Sequence, residues 1–152
     1  MRRVLPFALL FFSIVPPAVA DEVGTVGYRF KWIGPNDKIV VEAFDDPDIA
    51  GITCYMSHAR TGGIKGAVGV AEDPGEASIA CRQVGPIDTT KLEHLRNPHE
   101  IFSERASLVF KTTQVVRFWD VKRQALIYLV YTDRIIEGSP RNAISVVPLG
   151  VH

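Results

Sequence analysis

From Thr25 onward the hydrophobic positions alternate with polar ones more often than they recur every third or fourth residue. Thr25–Ile33 (TVGYRFKWI) sets Tyr28, Phe30 and Trp32 on one face and Arg29 and Lys31 on the other. That is the period of a half-buried strand. Gly34–Lys38 (GPNDK) is dense in turn formers, and Ile39–Phe44 (IVVEAF) is a second strand, so the pair predicts a hairpin. Asp45–Asp48 (DDPD) ends it, because proline cannot donate to a sheet ladder. A third strand, Gly51–Ala59, places Ile52, Cys54, Met56 and His58 on one face, and a fourth, Ala77–Val84, alternates Ile79, Cys81 and Gln83. Gly85–Glu100 is the least strand-like region: Thr89 or Thr90 caps a short helix around KLEHLRN, closed by Pro98.

The last third returns to β. Ser107–Lys111, Gln114–Asp120 and Ala125–Ile136 are rich in branched and aromatic residues. The segment DVKRQA joins the last two as a hairpin. LIYLVY is apolar on both faces and predicts a central strand. Glu137–Asn142 (EGSPRN) is a turn, and Ala143–Leu149 a final strand. The expected fold is mainly β: a single-domain sandwich or open barrel of about seven or eight short strands, with one or two short helices and one disulfide. No repeat and no linker divides it.

The first 20 residues break this pattern. Met1-Arg2-Arg3 is basic, Val4–Val15 is almost wholly apolar, and Ala18-Val19-Ala20 supplies small residues. Basic, apolar, then A-x-A is the layout of a cleaved secretory signal peptide. A membrane span needs ~20 apolar residues as a helix, and Pro16 and Pro17 cut this run short. Cleavage after Ala20 leaves residues 21–152 as one domain with no integral membrane segment. The full chain carries 17 basic and 17 acidic residues, and Arg2 and Arg3 leave with the signal. The remaining 15 basic and 17 acidic residues give a net charge of −2, which argues against nucleic acid as a partner. In an exported chain the two cysteines, Cys54 and Cys81, read as a disulfide if strands three and four pair or face each other.

Candidate chemistry concentrates between Ala59 and Cys81. A Walker loop needs lysine after its last glycine, followed by a hydroxyl, and here Lys65 precedes Gly66. Gly62, Gly63, Gly66 and Gly69 do not fit the dinucleotide spacing either, so no cofactor is implied. What survives is a set of backbone N–H groups near glycine, flanked by Arg60 and Lys65, able to meet an anion or a partner surface. The alternative is that these glycines serve backbone geometry alone. The expected binding set is therefore Arg60, Gly62, Gly63, Lys65 and Gly66, facing an envelope protein or a small anionic ligand.

Other motifs point less far. Glu42, Asp45, Asp46 and Asp48 cluster near a turn, but Ala50 and Ser57 stand where a calcium loop needs ligands, so a solvated acidic turn is expected. The spacing of His58, His94, His99 and His152 matches no zinc motif, and no metal ligand set is assigned. No G-x-S-x-G is present, and no catalytic residue is assigned. An unrecognised active site would have to assemble from His58, Ser139 or the acidic turn. Arg117, Phe118 and Trp119 offer an aromatic and basic surface patch, against which stands core packing of Phe118 or Trp119.

The combination of KIVVEAFDDPD, TGGIKG, QVVRF and EGSPRNAIS, in that order, resembles the CreA family of small exported bacterial proteins. The match is loose only between Asp88 and Glu104. The resemblance implies a periplasmic single-domain protein. The family's label, catabolite regulation, names no reaction. Beside a non-catalytic binding or interaction module stand two alternatives: an enzyme with an unrecognised site, and an envelope stability factor.

Overall fold

A computed structural model describes residues 18–30, 32–62, 77–105, 112–133 and 140–150. Among these, eight strands form two antiparallel four-stranded sheets, each a meander in chain order. The first sheet holds β1 (Asp21–Arg29), β2 (Asp37–Asp45), β3 (Ile52–Arg60) and β4 (Ala77–Gln83). The second holds β5 (His99–Arg105), β6 (Thr112–Asp120), β7 (Ala125–Thr132) and β8 (Asn142–Pro148). A six-residue 3₁₀ helix, Thr89–His94, lies between the sheets in sequence, and Leu92 is its buried residue.

The core forms where the inward faces meet. Phe44, Ile52, Cys54, Met56 and Ile79 come from the first sheet, and Phe102, Val115, Leu126, Tyr128, Val130 and Val147 from the second. The rings of Phe44 and Phe102 stack across the two layers with centroids 4.6 Å apart. On β3 the inward set Ile52, Cys54 and Met56 matches the alternation in the sequence. β7 is an inner strand paired on both sides, as its two apolar faces predict. Cys54 stands directly opposite Cys81 in the β3–β4 register and is bonded to it, with Cα atoms 3.9 Å apart.

The β2–β3 connection depends on Gly51. Its φ is +91°, and a Cβ there would come within 2.8 Å of the Pro86 carbonyl oxygen. Its own carbonyl accepts the N–H groups of Val84 and Gly85. Glycine therefore lets the chain after β4 close over this turn.

Three elements differ from expectation. β1 begins at Asp21, ahead of the predicted Thr25, and is not half-buried: eight of its nine residues are exposed. It is an edge strand that only β2 pairs among the described residues. β5 was not expected, because a register shift between Glu100 and Phe102 puts Ile101 and Phe102 both in the core and hides the period of two. The 3₁₀ helix is capped by Asp88, whose Oδ1 accepts the Thr90 N–H at 3.1 Å, and not by a threonine. The predicted strand Ser107–Lys111 lies outside the described residues.

Candidate functional site

The inward face of β2 carries Val40, Glu42 and Phe44 in alternation, all buried. A carboxylate at such a position is costly unless it is paired. Glu42 finds its partners on β3, where the inward alternation continues to His58 and Arg60. Its Oε2 lies 3.1 Å from His58 Nε2, and its Oε1 accepts from Arg60 Nη2 at 2.9 Å. The same Nη2 donates to Glu104 Oε1, also at 2.9 Å. Glu104 belongs to β5, so Arg60 ties the two sheets together where β3 ends.

This cluster sets two carboxylates against one guanidinium. Burial pushes the Glu104 carboxyl above the usual glutamate value, the charge of Glu42 pushes it further, and Arg60 and His58 only partly offset them. The sign of the consequence follows. The folded chain holds this proton more tightly than the unfolded chain, so from about pH 4.3 upward this contribution to stability is lost as Glu104 ionises. Glu104→Gln is expected to flatten that decline in urea-unfolding midpoints measured across acidic to neutral pH. A slope identical to the parent's would mean Glu104 titrates normally.

Ligand atoms of Glu42, His58 and Glu104 lie within 4.8 Å of one another. Arg60 Nη2 already pairs with both carboxylates. Of the predicted binding residues, Arg60 is thus engaged in internal ion pairs. Gly62 donates its N–H to Asp37 Oδ1 at 2.8 Å, and a Cβ on it would meet the Pro35 carbonyl oxygen at 1.9 Å. Glycine is required there for backbone contact with the β1–β2 connection. Gly63, Lys65 and Gly66 lie outside the described residues, as does Ser139.

The acidic turn is solvated only in part: Asp45 is exposed and Asp48 half-buried. Asp46 is buried, and its Oδ1 accepts from Asp48 N, Ile49 N and Arg117 Nη1, while Oδ2 accepts from Tyr128 Oη. Arg117 is 1% exposed and places its second nitrogen 2.9 Å from Asp48 Oδ2. Burial pulls the guanidinium's pKa down, but the charge and hydrogen bonds of Asp46 and Asp48 outweigh it and raise it overall. The Tyr128 hydroxyl is pushed up by burial and by Asp46. His99 Nε2 stands 3.4 Å from Asp48. Arg117 is therefore no surface residue. Neighbours on a strand alternate faces, so Arg117 and Phe118 cannot form one patch, and Arg117 shares its face with the buried Thr113 and Val115.

The family model described as CreA protein matches residues 23–151. The chain belongs to the CreA family. It is 54% identical over 147 residues to the Protein CreA of Escherichia coli strain K12, covering 95% of this chain and 94% of that one. The corresponding proteins of two further Escherichia coli strains match to the same extent. No solved structure matches. The family match takes in all of β2–β8 and both charge networks.

One surface feature of this CreA-family chain was misassigned by periodicity alone. Phe30, Trp32 and Ile33 follow β1 at the tip of its hairpin with β2, and are 71%, 93% and 68% exposed. Phe30 and Trp32 touch edge to face, with ring centroids 5.9 Å apart. Tyr28 is half exposed beside them. The sequence signal was present, since strand-like alternation beside a Gly-Pro turn also suits a projecting tip. Of His58, Ser139 and the acidic cluster, from which a catalytic site was to be built, His58 meets Glu42 of that cluster, whereas Asp46 joins Arg117 and Tyr128 in a separate network.

Proposed function

We propose that this CreA-family protein is an exported, non-catalytic binding module of the periplasm. In this reading residues 1–20 are removed as a signal peptide, and residues 21–152 act as one domain. Its partner is an envelope protein with an apolar contact face, met by Phe30, Trp32 and Ile33. The observation that carries the proposal is the exposure of those three side chains together, because a contiguous apolar surface on a monomer marks an interaction site. Gly62, one of the predicted binding residues, packs against the same hairpin connection. The engagement of Arg60 by Glu42 and Glu104 favours a protein partner over a small anion. A tie to catabolite regulation, which the family label implies, would act through such a partner and not through a reaction.

A photoreactive phenylalanine at position 32 of the exported protein is expected to give a discrete adduct with another envelope protein. The same probe at Val121, exposed on the β6–β7 turn, should not. The purified partner should then bind the parent and lose about tenfold or more in affinity with Trp32→Ala. Absence of an adduct, an adduct only with a second copy of the chain, or equal binding by Trp32→Ala would refute the proposal.

A further inference from the structure

We infer that β1 is a self-complementary edge through which two copies of the chain pair antiparallel about Thr25, joining their first sheets into one. Among the described residues, β1 pairs with β2 on one side only. An open strand edge offers N–H and C=O groups to another strand, and natural proteins commonly blunt such edges with charge, proline or bulges. The β1–β2 register shifts between Glu22 and Gly24 and between Gly27 and Arg29, which leaves Gly24–Gly27 as the regular stretch on which the pairing centres. β1 has no proline, and its charges are split by sign: Asp21 and Glu22 open the strand, and Arg29 closes it.

Antiparallel self-pairing converts that split into attraction. With Thr25 opposite Thr25 of the second copy, Asp21 faces Arg29 at both ends of a two-fold interface. The side chain of Arg29 pairs with Asp37 at 3.9 Å yet is 71% exposed, so it is accessible for this contact. The same register sets Val26 opposite Gly24 and Val23 opposite Gly27. Val26 and Val23 are 65% and 60% exposed, and the space a Cβ would take on Gly24 is open for 4 Å. Each copy therefore brings an exposed valine to the place where the other has no side chain. On β2 the neighbours of Gly24 and Val26 are Val41 and Ile39, which continue the apolar face beneath.

This contact is separate from the one proposed for Trp32 and is read by a different measurement. Sedimentation equilibrium of the exported protein should show a concentration-dependent dimer. Asp21→Arg and Arg29→Asp should each weaken it by about tenfold or more, since each sets like charges opposite one another at both ends. The double variant, which restores opposite charges, should recover dimerisation. Both residues are exposed, and far-UV circular dichroism spectra matching the parent's will show that the variants fold. A monomer at every concentration, a dimer indifferent to both single reversals, or a double variant as weak as the singles would overturn the inference. None of these results bears on adducts at position 32.

Discussion

Asp46→Ala is expected to destabilise the protein by about 3–5 kcal/mol, the range for removing one partner of a buried ion pair. Four hydrogen bonds end on this carboxylate, from Arg117, Tyr128 and the backbone of Asp48 and Ile49. Truncation leaves the Arg117 guanidinium in the core with Asp48 as its remaining ion-pair partner, and leaves a buried tyrosine hydroxyl without its acceptor. The same carboxylate shapes the turn that leads into β3 and fastens it to β6 and β7 of the other sheet. Urea unfolding gives the magnitude. Adding Arg117→Met should recover part of the loss by removing the stranded charge. It should not recover all of it, because the turn N–H groups and Tyr128 still lack their acceptor. A loss below about 1 kcal/mol for Asp46→Ala would mean the pair is solvated and the turn holds itself.

Replacing both cysteines with alanine is expected to cost about 2–4 kcal/mol. The chain-entropy model assigns roughly 3–4 kcal/mol to closing a loop of this length in the unfolded state. Cys54 is also fully buried in the core cluster, so removing its sulfur takes away packing. The bond lies inside a continuous β3–β4 ladder running from Ile52 opposite Gln83 to His58 opposite Ala77. The ladder aligns the two strands in the folded state but does nothing to the unfolded chain, where the disulfide acts. The melting temperature of the double variant, and of the parent under reductant, should fall by several degrees. Equal midpoints with and without the bond would show that it is redundant.

These two expectations differ in how visible they were in the amino-acid order. The disulfide was legible because Cys54 and Cys81 sit at inward-phased positions of two strands and are the only cysteines. The Asp46–Arg117 pair was not. Both residues look like surface residues by type, and 71 positions separate them. The available clue was phase: Arg117 follows Thr113 and Val115 on the core face of β6, and Glu42 lies between Val40 and Phe44 on that of β2. A charge at an inward position demands a partner, but the sequence cannot say which one.

Local order determined the strands, because alternation, branched side chains and turn residues act over a few neighbouring positions. It specified β2, β3, β4, β6, β7 and β8 nearly as observed, and with them the mainly β class and the cysteine pair. It could not determine which strand would be an edge, since an apolar face reads the same whether or not another layer covers it. Tertiary packing decided that β1 stays uncovered, that Trp32 projects at a hairpin tip, and that Arg60 joins Glu42 to Glu104 across the sheets. The physical reason is range. Backbone preference is settled within a strand, whereas burial and charge pairing depend on residues that only the folded chain brings together.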